Sequence, residues 1–186
     1  MIEVIDDFVT KSYHQELLSI LDSPHMIWFF NKNISKQFPK EVKLDCYGCS
    51  NDLVREDQEI PPNPLSAICM PLLYQINDVL GTTKPLAARA DMTLRQPEGI
   101  IHDPHVDYFF PHMSSVYYVN ETDGPTVIYN ERYDESTYPL DFSDLTVKTI
   151  VEPKPNRVVV FDGDLIHTGH SPKDHINRII INSNYV

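Results

Sequence analysis

The chain has 186 residues and a formal net charge of −12, from 15 basic and 27 acidic side chains. Apolar residues make up 41% and charged ones 23%, which suits one folded domain with a sizeable core and argues against disorder across most of its length. The negative surplus disfavours nucleic acid as a general partner. No run nears the ~20 apolar residues that cross a bilayer, and MIEVIDDFVTK lacks a basic stretch before an apolar one, so an intracellular, cytoplasmic protein is expected.

Residues 1–8 alternate weakly and are predicted to start a strand. Residues 11–22 place Leu17, Leu18 and Leu21 on one helical face, with Tyr13 and His14 a turn earlier, and Pro24 ends that helix. MIWFF at 26–30 reads as a strand, and 31–62 as a polar, irregular stretch closed by Pro61 and Pro62. Cys46 and Cys49 form a C-x-x-C pair within it. With Cys69 the count is odd and no further ligands stand near, so neither a disulfide framework nor a zinc site is expected. A second helical pattern covers 64–80; Pro71 inside it predicts a kink or a break, and Gly81 is its C-terminal cap.

Strands dominate from residue 86 onward. Ala88, Ala90, Met92 and Leu94 alternate with Arg89, Asp91, Thr93 and Arg95, a period of two with one buried face. Further strands are predicted over 115–119, 126–130, 146–151, 157–161 and 177–182, separated by Asn, Asp, Gly and Pro, as in Thr122-Asp123-Gly124-Pro125. The pattern predicts an all-β core with N-terminal helices (α+β), best arranged as a double-stranded β-helix, or jelly-roll, barrel. One domain over 1–186 is expected, with 1–85 as helix-containing support and 86–186 as the core that carries the chemistry. Two long stretches, 31–62 and 131–145, are candidate lids over the barrel mouth.

Histidines fall in two groups: His102, His105 and His112, then His167, His170 and His175. The central motif is His105-Val106-Asp107. On extended backbone, side chains at i and i+2 share a face, so H-x-D offers an imidazole and a carboxylate to one ion. A second His from another strand completes a two-His, one-carboxylate set that leaves three positions open, the arrangement of non-haem Fe(II) oxygenases. Arg178 opens the last strand, eleven residues after His167. Its planar guanidinium suits a ligand carboxylate, and inside a barrel it needs an anion.

In this order, H-V-D at 105–107, S-V-Y-Y-V-N at 115–120, D-G-P-T at 123–126, V-V-F-D-G-D-L-I-H at 159–167 and R-I-I-I-N at 178–182 resemble the prolyl 4-hydroxylase-like branch of the Fe(II)/2-oxoglutarate dioxygenases. The resemblance covers roughly the C-terminal half. It implies that His105, Asp107 and His167 ligate Fe(II), and that Arg178 pairs with the far carboxylate of 2-oxoglutarate. Tyr118 resembles the Tyr that hydrogen-bonds that carboxylate, and Thr126 is placed in the same pocket. His167 is preferred to His170 as the second imidazole because Leu165 and Pro172 flank it in the family's manner. Asp107 matches the hydroxylases and not the halogenases, where halide takes the carboxylate's place. Two departures stand: Arg95 lies where prolyl hydroxylases often have a Tyr, and no Ser follows Arg178 as in the oxidase-type branch. The implied activity is a hydroxylase that uses O2 and 2-oxoglutarate, releases succinate and CO2, and acts on a peptide, in the first instance a peptidyl proline, or on a small molecule. The rival reading is a cupin-like jelly-roll metal-binding protein without 2-oxoglutarate chemistry.

Overall fold

A computed structural model describes residues 1–32, 34, 47–57, 59–82, 84–96, 100–135 and 142–186. Among these the chain forms strands β1 (Ile2–Ile5), β2 (Phe29–Asn31), β3 (Gly48–Val54), β4 (Pro85–Leu94), β5 (Met113–Tyr118), β6 (Thr126–Arg132), β7 (Val147–Val151), β8 (Arg157–Asp162), β9 (Leu165–Gly169) and β10 (Asn177–Tyr185), with helices α1 (Lys11–Leu21) and α2 (Pro64–Leu80). Cys46 and the middle parts of the two candidate lids lie outside the described residues. Cys49 and Cys69 are free thiols, and no described helix is long and apolar enough to cross a membrane.

Local chemistry sets the helix ends. The Thr10 side chain accepts from the Tyr13 amide at the start of α1. Asn63 Oδ1 accepts from the Ser66 amide at the start of α2, and Pro64 takes the first turn, where no amide is needed. Gly81 closes α2 at φ 66°, a left-handed position that suits glycine, with its N–H on the Asn77 carbonyl. α2 runs unbroken through Pro71, where a kink or break was predicted. Pro71 is exposed. Beside it the Tyr13 hydroxyl enters the helix from α1, donating to the Ile68 carbonyl at 2.6 Å and accepting from the Leu72 amide at 3.3 Å. A phenol thus serves backbone groups at the turn that proline weakens. Burial pushes the Tyr13 pKa up to about 12, so it stays a neutral donor.

Two antiparallel sheets carry the barrel, one ordered β1-β8-β5-β10-β4-β3-β2 and the other β7-β6-β9. This is the jelly roll that the strand pattern predicted. Alternation along β10 sorts its residues. Ile179 and Ile181 face the helices, packing with Leu17, Leu21, Leu72, Leu73 and Ile76. Ile180 faces the smaller sheet, packing with Val116, Tyr118, Ile128, Val159 and Phe161. Each fully buried Leu or Ile contributes about 1.5–3 kcal/mol. The strands of residues 1–85 belong to the larger sheet, so that half supplies β-structure as well as helices.

β3 was not predicted, and it lies in the stretch read as irregular. Gly48, Ser50 and Asp52 pair in register with Thr93, Asp91 and Arg89, and this polar row faces inward. β4 likewise buries both rows: Ala88 and Ala90 under the helices, Asp91 and Thr93 inside the barrel.

Candidate metal centre

His105 and His167 meet as an isolated antiparallel bridge, each amide donating to the other's carbonyl at 2.9 Å. β9 supplies His167, and the segment between β4 and β5 supplies His105 and Asp107. The bridge sets the two rings 4.8 Å apart between centroids, and Phe161 stands edge-on against His167 at 4.9 Å. The structure brings His167, not His170, to the H-x-D motif: one donor atom each from His105, Asp107 and His167 lies within 4.8 Å of the others. Asp107 Oδ1 is 3.9 Å from His105 Nε2, and its Oδ2 is 3.8 Å from His167 Nε2.

Both imidazoles are oriented from behind. His105 Nδ1 lies 2.9 Å from the Asp103 carbonyl oxygen, and His167 Nδ1 lies 3.0 Å from that of Leu165. A carbonyl only accepts, so Nδ1 carries the proton and the Nε2 lone pair faces the cluster. Burial, with the His105 ring beside it, lowers the His167 pKa to about 4 and keeps that ligand neutral. Asp107 Oδ2 accepts from Asn184 Nδ2 at 2.7 Å and from Ser114 Oγ at 3.3 Å. Burial opposes its charge, but the two imidazoles and the Asn184 amide outweigh burial and hold it below the usual carboxylate range. Two imidazole nitrogens and a carboxylate directing lone pairs at one point form a donor set that could hold Fe(II).

The cluster lines a cavity of about 320 Å³ that Arg178 and Thr126 also line. Arg178 is buried on β10. Its Nε donates to the Gly124 carbonyl at 2.7 Å and its Nη2 to Thr126 Oγ1 at 3.0 Å, and it sits 5.7 Å from the Tyr118 ring centroid. A side chain at Gly124 would overlap the His170 carbonyl oxygen and Arg178 Cδ, so glycine permits this approach. Among the described residues no carboxylate forms an ion pair with Arg178. Burial lowers its pKa. A buried guanidinium without an anion is costly.

Tyr118 does not line the cavity. Its hydroxyl donates to Thr126 Oγ1 at 2.7 Å, behind the wall. Thr126 Oγ1 therefore accepts from both Tyr118 and Arg178. Thr93 is the residue that sequence reasoning missed: it pairs with Arg178 across β4 and β10, lines the cavity, is 3% exposed, and its hydroxyl has no hydrogen-bond partner among the described residues. His102 also lines the cavity, with Nε2 2.9 Å from Ser171 Oγ, and burial followed by the Arg178 charge brings its pKa down to about 3.

No family model matches the chain, and no curated protein does. Solved structures match over nearly its whole length. A 2OG-Fe(II) oxygenase family oxidoreductase from Burkholderia pseudomallei superposes with a TM-score of 0.66 at 9% identity, over 99% of this chain and 84% of that one. A Pseudomonas putida prolyl-4-hydroxylase gives 0.61 at 16% identity, over 99% and 91%. The fold is that of the 2OG-Fe(II) oxygenases. A prolyl hydroxylase from Trichoplax adhaerens, in complex with a peptide fragment of the hypoxia inducible factor oxygen degradation domain, shares it too, at a TM-score of 0.61 and 13% identity over 99% and 83% of the chains. The jelly roll and its two-sheet interior are thus common ground with these enzymes.

Proposed function

We propose that this protein is an Fe(II)- and 2-oxoglutarate-dependent dioxygenase that hydroxylates its substrate. One observation carries the reading: a single cavity joins a His-Asp-His donor cluster to a buried guanidinium that forms no ion pair among the described residues. His105, Asp107 and His167 would hold Fe(II) on one face. When bound, iron and 2-oxoglutarate supply the O2-dependent oxidation, with succinate and CO2 as the cosubstrate's products. Arg178 receives the far carboxylate of 2-oxoglutarate, and the free Thr93 hydroxyl donates to it from the facing strand. Thr126 and Gly124 hold the guanidinium in place, and Tyr118 holds Thr126. Val116 and Ile180 give the cavity apolar wall that keeps water from the centre. The likeness to two prolyl hydroxylases makes a peptidyl proline the first substrate to test; a small molecule is the other class.

The test is anaerobic titration with Mn(II) in place of iron, then 2-oxoglutarate. The protein is expected to bind both, and Arg178→Met to bind the metal while losing at least tenfold in 2-oxoglutarate affinity. Metal binding that leaves 2-oxoglutarate without effect would support a cupin-like protein instead.

A further inference from the structure

The cavity has two ends. Arg89 and Asn182 lie four residues along β4 and β10 from the Thr93–Arg178 pair, roughly 13 Å away at strand spacing. Asn184, beyond them, bonds the Asp107 carboxylate, so this outer end lies past the cosubstrate's anchor and beside the metal centre. β3 completes its wall. There Asp52 pairs with Arg89 and Val54 with Ala88, a bulge that leaves both Asp52 and Val54 lining the cavity.

The polar groups of this wall are only partly used. Arg89 donates through Nε and Nη2 to the two oxygens of Asp91, at 2.5 and 2.9 Å, and through Nη2 to the Ile34 carbonyl at 3.1 Å. Among the described residues its Nη1 makes no hydrogen bond, and its side chain keeps 23% exposure. Among the described residues, Asp52 makes no ion pair or hydrogen bond although it faces Arg89 across the strands, and the Asn182 amide makes none either. The outer wall therefore offers a guanidinium edge and an amide beside an open carboxylate, over small apolar Val54 and Ala87. Size points the same way. About 320 Å³ is near the lower limit for ligand cavities, and 2-oxoglutarate must share it.

We propose that the substrate is a free α-amino acid, its carboxylate received by Arg89 and Asn182 and its ammonium group by Asp52. This rests on the dioxygenase reading above. The reaction balances as one C–H bond of the amino acid becoming C–OH with one atom of O2, while the other atom enters succinate as 2-oxoglutarate loses CO2. A prolyl residue inside a peptide has neither charge to offer, and a site built for charged partners discriminates strongly against ligands that lack them.

The experiment follows succinate release by the Fe(II)-loaded enzyme with 2-oxoglutarate and O2, adding each of the twenty standard amino acids, their N-acetyl and carboxamide forms, and proline-containing peptides. At least one free amino acid is expected to accelerate release and gain one oxygen atom. Capping its amine should raise KM about tenfold or more. Asp52→Asn, an exposed replacement, should raise KM for the free amino acid and close its gap to the N-acetyl form, with kcat less affected. The proposal is overturned if 2-oxoglutarate turns over but no free amino acid accelerates it, if only prolyl peptides do, or if Asp52→Asn keeps the preference for a free amine. An enzyme that binds neither metal nor 2-oxoglutarate would overturn the dioxygenase reading itself.

Discussion

Thr93 keeps a hydroxyl inside the protein that no other group among the described residues satisfies. It pairs across the strands with Gly48, which has no side chain to offer a polar partner. Without ligand the group carries a desolvation cost that valine, of the same shape, would not. Thr93→Val is therefore expected to stabilise the ligand-free protein by about 1 kcal/mol and to weaken 2-oxoglutarate binding about tenfold or more. Thermal unfolding and anaerobic titration measure the two effects; a less stable variant with unchanged binding would refute the role. Asn184 makes a complementary case. Asn184→Leu removes the amide that orients Asp107 and should lower metal affinity about 10- to 100-fold, read by competition with a chromogenic chelator. Sequence alone singled out His105, Asp107, His167 and Arg178, because these residue types at these spacings are informative. Thr93 and Asn184 were illegible: a polar residue at every second strand position reads as a solvent face, and here that face lines the cavity.

At the scale of elements, α2 shows how a tertiary contact overrides a local rule. Pro71 predicted a broken helix, but the Tyr13 hydroxyl from α1 serves the Ile68 carbonyl and the Leu72 amide. Tyr13→Phe should cost about 1 kcal/mol by removing the hydroxyl from these two groups, which are i, i+4 neighbours in α2. Pro71→Ala, which restores an amide on an exposed face, should be stabilising and should shrink the Tyr13→Phe loss; a double-mutant cycle in urea unfolding reads the coupling. The turn before β6 invites a pH test. Asp123 accepts from the amides of Lys173, Asp174 and His175 and from the His175 ring. Burial raises its pKa, but these bonds outweigh burial and hold it well below the usual carboxylate range. A pKa lowered by folding gives stability that is complete above the unfolded value of about 4 and is lost as pH falls further. Asp123→Asn should flatten this acid limb, and NMR titration of the Asp123 carboxyl group checks its cause. The adjacent Gly124 carbonyl holds Arg178, so acid should loosen the anion site as well. β3 escaped sequence reading for the same reason as Thr93, its inward row being Gly48, Ser50 and Asp52.

For the whole molecule, the jelly roll was legible from the count and spacing of β-rich segments and the turns between them. Its sheet order was not, because neighbours in the larger sheet lie far apart in sequence: β1 pairs with β8, and β5 with both β8 and β10. The site's position follows from that order. Segments around residues 52, 91, 107, 167 and 180 all line one interior, and no local pattern reports that convergence.

β10 is made after every other described strand, yet it fits between β4 and β5 and carries both Arg178 and Asn184. Until it emerges, β4 and β5 each present an unpaired edge, and neither the buried guanidinium nor the support of Asp107 is in place. Between the completion of β4 and β5 and the docking of β10, a nascent chain of this protein thus carries an open sheet that is prone to edge-to-edge association. Chaperone capture should peak just before residues 177–185 are exposed and fall once they dock.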